Sequence, residues 1–125
     1  MGKRNKGKHF CNFTDFPTEA LILPFSADSL TQVLKDAASD NSFYTHQQIS
    51  NWAWRFWWEC NEGSLVRTTE NDPTLAAAAE IALGIDAQWD MFLVNTYSME
   101  QLQTMDFTKI ELPREWFKEW LTKLD

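Results

Sequence analysis

Few residues of this chain have side chains suited to nucleophilic or metal chemistry: His9, Cys11, His46 and Cys60. A nucleophile needs its thiol or hydroxyl beside a base, and the base needs an orienting partner. Cys60 and His46 fall on one expected helix, fourteen residues apart and therefore about 21 Å along its axis, so they cannot pair. Cys11 meets His46 only if tertiary folding brings the two together. The four have zinc-donor types but not the ligand spacing of a known zinc module, and no metal is expected. The pairs Asp86/Asp90 and Glu115/Glu119 each stand one helical turn apart and read as solvated faces rather than catalytic carboxylates. Glycine occurs only at 2, 7, 63 and 84, which leaves no phosphate-cradling loop. Neither catalysis nor a cofactor is expected.

Binding chemistry is better represented, and it is unevenly distributed. Lys3, Arg4, Lys6 and Lys8 give residues 1–9 a charge of +4, whereas the rest of the chain sets seven basic against eighteen acidic residues. Between Arg67 and Lys109 there is no base at all, while Glu70, Asp72, Glu80, Asp86, Asp90, Glu100 and Asp106 are all acids. That stretch disfavours nucleic acid and anionic membranes and suits a basic protein surface. Asp86 and Asp90 are the candidate docking charges. The basic arm has two readings, a solubilising tail or a nucleic-acid contact made through Lys3, Arg4, Lys6 and Lys8, which would be weak and salt-sensitive.

The second concentration is aromatic. His46 to Cys60 holds four tryptophans and a phenylalanine. On a helix, Ile49, Trp52, Ala53, Phe56, Trp57 and Cys60 share one face, which belongs in a core. Trp54 and Trp58 point away from that face. They are either covered by other helices, making this the central helix, or they form an exposed pair that anchors a partner, stacks on a ligand or lines an indole pocket. An exposed pair also leaves self-association open.

The elements that must position these residues are legible from caps and stripes. Thr45 and Gln48 form a capping box, so the tryptophan helix starts at about Thr45, and Gly63 closes it. Ser26 caps an earlier helix over about 27–39, with Leu30, Val33, Leu34 and Ala37 inward. Phe10 to Pro24, with two prolines, reads as an extended segment covering the core. Residues 64–71 read as a connection or at most a short strand. Asp72-Pro73 opens an alanine-rich helix expected to end at Gly84, with Leu75, Ala79, Ala82 and Leu83 inward. Asp86 then caps a further helix carrying Trp89, Phe92, Leu93 and Tyr97. Residues 74–93 thus mimic a helix-turn-helix, but residues 86–97 hold two aspartates and no Lys or Arg, which argues against DNA reading. Ser98 with Gln101 starts a short helix to about Met105, and Pro113 starts an amphipathic C-terminal one.

The expectation is therefore an all-α bundle of five or six short helices around the tryptophan helix, with residues 1–9 as a flexible arm and 10–125 as one domain. No apolar run of membrane-spanning length and no signal-peptide pattern occurs; with Cys60 on the inward stripe as a reduced thiol, the chain reads as soluble and cytoplasmic. In profile, as a small, acidic, tryptophan-rich helical domain, it resembles bacterial immunity proteins, antitoxins and phage inhibitors that block basic partners. That likeness is one of composition and carries no residues across. The function expected is a non-catalytic module docking an acidic surface on a basic partner protein.

Overall fold

A computed structural model of the protein describes residues 20–39 and 44–124. The described chain is all-α. Its helices are α1 (Ala27–Ala38), α2 (His46–Asn61), α3 (Val66–Glu70), α4 (Pro73–Thr96), α5 (Met99–Thr104) and α6 (Arg114–Leu124), with a 3-10 turn at Phe107–Lys109. The basic arm, and the part of the expected extended segment before Ala20, lie outside the described residues.

The tryptophan helix α2 begins where its capping box dictates. The Thr45 hydroxyl accepts the Gln48 N–H at 3.0 Å, and Gln48 Oε1 accepts the Thr45 N–H at 2.9 Å. Two otherwise orphaned donors are thereby satisfied. Ile49, Trp52, Ala53, Phe56 and Cys60 are all buried on its inward face. Trp52 and Phe56 meet edge to face at 5.4 Å, and each touches Phe25. Burying one such ring stabilises the fold by about 2–3 kcal/mol.

Two helix pairs organise the bundle: α2 packs on α4, and α1 packs on α6. Small side chains make the first pair close, because Ala78, Ala79 and Ala82 of α4 are wholly or almost wholly buried. Leu30, Val33, Leu34 and Ala37 of α1 are buried, as are Phe117 and Trp120 of α6. A strap precedes α1. Trp52 Nε1 donates to the Leu23 carbonyl at 3.2 Å and the Arg55 guanidinium to the Leu21 carbonyl at 2.9 Å, which binds residues 21–23 along α2. At the N-terminal end of α2, His46 Nδ1 accepts the Leu112 N–H at 2.7 Å and the ring stands edge-on to Phe117.

Two sequence expectations are corrected. Residues 66–70 are helical rather than a connection or strand. The Thr69 N–H and hydroxyl both bond to the Leu65 carbonyl, and these local bonds outweigh the β preference of the two threonines, as no strand runs alongside among the described residues. The second correction is larger: α4 does not stop at Gly84 but runs on to Thr96, 24 residues in all. A mid-helix glycine costs about 1 kcal/mol against alanine and does not by itself end a helix. Asp86 lies inside this helix rather than ahead of one, and it is buried. The apparent helix-turn-helix is therefore one unbroken helix.

Candidate interaction surface

The candidate side chains are distributed by α2 and α4. Trp54 is buried at 7% exposure, and Trp58 is half-buried. Their rings stack with centroids 6.4 Å apart and 23° between planes, and Trp57 lies equally near Trp54. Trp58 also covers Gly63: a methyl there would stand 2.8 Å from the indole and 2.5 Å from the Glu59 carboxylate. The pair is thus an inward stack with one flank at the surface, and the reading of Trp54 as an exposed anchor is corrected.

Asp86 and Asp90, one turn apart, have different surroundings. Asp86 is buried, with Ser50 of α2 donating its hydroxyl to the carboxylate at 3.3 Å. The use of Asp86 as a docking charge is therefore corrected, because a carboxylate held between α2 and α4 presents no face to a partner. Asp90 is half-buried at the edge of the same helix. Glu70, Asp72, Glu80 and Glu100 are exposed. They, rather than Asp86, make the acidic surface of the base-free stretch. Lys3, Arg4, Lys6 and Lys8 lie outside the described residues.

Residues the sequence reading passed over stand on the outer side of α4 and at the start of α5. Met91, Val94 and Met99 are exposed at 54%, 42% and 54%. A signal was present: once Trp89, Phe92 and Leu93 face inward, the opposite side of the same turns must carry Met91 and Val94.

Two small clefts open on the described surface. One, of about 210 Å³ and lined by Gln88, Trp116, Glu119, Trp120 and Lys123, lies between α4 and α6. It is indole-lined but smaller than the roughly 300–1,000 Å³ of typical ligand sites. The other, of about 130 Å³, lies beside His46, Glu111 and Arg114. Cys60 is buried, and burial pushes its thiol up; the Thr69 hydroxyl offsets this in part, and the Glu59 charge adds to it. Such a thiol is held protonated and poorly nucleophilic. No three His, Cys, Asp or Glu side chains converge among the described residues, and no helix there is long and apolar enough to cross a membrane. Comparison with protein-family models, curated proteins and solved structures finds no match to this chain.

Proposed function

We propose that this chain is a non-catalytic protein-binding module, inhibitory or immunity-like, that docks an acidic surface on a basic partner protein in the cytoplasm. The observation that carries this reading is the stretch from Thr68 to Thr108, which holds no base and presents Glu70, Asp72, Glu80 and Glu100 to solvent. Carboxylates without interspersed cations raise a negative potential that steers a basic partner and repels phosphate backbones. The reduced, buried Cys60 is compatible with a reducing compartment.

The test is capture of partners from nuclease-treated lysate by the full chain and by a Glu80→Lys, Glu100→Lys variant. A basic protein retained at low salt, released at high salt and lost by the variant is the expected result. Equal capture by both chains would remove this surface from consideration. Material lost on nuclease treatment would instead favour the arm residues Lys3, Arg4, Lys6 and Lys8.

A further inference from the structure

The helix α4 is apolar almost all round. Over 24 residues only Glu80, Asp86 and Asp90 are acidic and none is basic, and Asp86 is inside. A helix of that kind is normally covered on two sides, yet one long side of α4 is open. Glu80, Gly84, Ala87, Met91 and Val94 recur at the spacing of a single stripe, and all but the partly covered Gly84 are exposed. Nothing comes within 4 Å of where a Gly84 side chain would begin. Of the four large apolar side chains exposed among the described residues, three, Met91, Val94 and Met99, stand at the end of this stripe and the start of α5.

We propose that this stripe seats a basic amphipathic helix of the partner. Its apolar side would pack on Met91, Val94 and Met99, its backbone would approach closely over Ala87 and Gly84, and its lysines and arginines would face Glu80 and Glu100. The proposal rests on the acidic-docking reading above and specifies the form of the partner. Three features select this occupant. Methionine is unbranched and adapts to whatever apolar face it meets, as it does on surfaces that bind helices of varied sequence. Glu80 on the stripe and Glu100 next to Met99 in sequence, both exposed and with no base between Arg67 and Lys109, favour cations flanking the incoming apolar face. The same stripe of a second copy would bring no cation to face Glu80 and Glu100, because residues 68–108 hold none.

The probe is a labelled, helix-forming peptide of leucine and lysine, about 18 residues or five turns long, with leucine at i, i+3, i+4 and i+7. A scrambled peptide of the same composition and a glutamate-for-lysine version are its controls. Binding to the full chain is followed by fluorescence anisotropy, and the fold of each variant by circular dichroism. The amphipathic peptide should bind about tenfold more tightly than the scrambled one, the equivalent of burying roughly one methionine side chain. The glutamate version should not bind. Met91→Ser with Met99→Ser should erase the preference and leave the salt-dependent part, while Glu80→Gln with Glu100→Gln should weaken both lysine peptides together. Equal binding of the amphipathic and scrambled peptides overturns the apolar seat and leaves acidic docking standing. Failure of every lysine peptide overturns both. A dimer in sedimentation velocity that the serine pair dissociates, with no peptide bound, assigns the stripe to a second copy and overturns the proposal.

Discussion

Ser50 on α2 donates its hydroxyl to the carboxylate of Asp86 on α4, 36 positions along the chain, and both residues are buried. This polar contact lies at the most extensive helix interface of the bundle. Removing Asp86 strands the Ser50 hydroxyl away from water, and removing Ser50 takes one donor from the buried carboxylate. Ser50→Ala should lower stability by about 1–3 kcal/mol, and Asp86→Ala by at least as much. Asp86→Lys, which buries a cation where the carboxylate was, should prevent folding. Urea midpoints check the first two and circular dichroism the third; an unchanged midpoint for Asp86→Ala would show that the carboxylate is not held at this interface.

The two structured glycines should respond oppositely to a methyl group. Gly84 stands mid-helix beside open space, so Gly84→Ala should stabilise the protein by about 0.5–1 kcal/mol. At Gly63 the methyl would strike the Trp58 ring and the Glu59 carboxylate; Gly63→Ala should cost about 1–3 kcal/mol. Thermal melts of the two variants should move in opposite directions from that of the parent chain.

At the start of α2, His46 serves as an acceptor. With Nδ1 taking the Leu112 N–H, the ring proton belongs on Nε2. His46→Leu should keep apolar packing against Phe117 but orphan the Leu112 amide, at a cost of about 1–3 kcal/mol. Hydrogen exchange resolved at Leu112 reads this directly. Protection there that survives the substitution would mean that the amide has another acceptor.

Two carboxylates held in their charged form link stability to pH. The N–H and hydroxyl of Ser64 hold Glu59 below its ordinary 4.5, and the hydroxyl and N–H of Thr108 hold Asp106 below its ordinary 3.8. Folded values that are depressed mean that the unfolded chain takes up protons first as pH falls. The stability these groups contribute is therefore present above 4.5 and 3.8 respectively, and is lost as pH falls through the folded values. Solvent screening keeps the effect small. Ser64→Ala with Thr108→Ala should flatten the fall in urea midpoint between about pH 5 and pH 3; an unaltered slope would locate acid sensitivity elsewhere.

What the sequence reveals and what it conceals divide by distance along the chain. The capping pairs Thr45/Gln48 and Ser98/Gln101, and the aspartate cap before Pro73, lie within three residues of the groups they satisfy. They are readable for that reason. The inward stripes of α1 and α2 are also local. Gly84-Ile85-Asp86 is a different case, because a glycine followed by an aspartate has the same local signature whether a helix stops or continues. Contact with Ser50, which no spacing rule reaches, accompanies continuation here and turns Asp86 inward. The same distance rule hid the outer stripe: Met91 and Val94 are ordinary core residue types until Trp89 and Leu93 are seen to occupy the inward side.

The packing of α1 on α6 has a consequence for biosynthesis. At translation rates of roughly 5–20 residues per second, about 4–17 s separate the synthesis of α1 from that of α6. Throughout that interval Leu30, Val33 and Leu34 have been made and α6 has not. A stop codon or ribosome stall before Arg114 would leave α1 without the helix it packs against most extensively, with an apolar side that only holding factors could then shield.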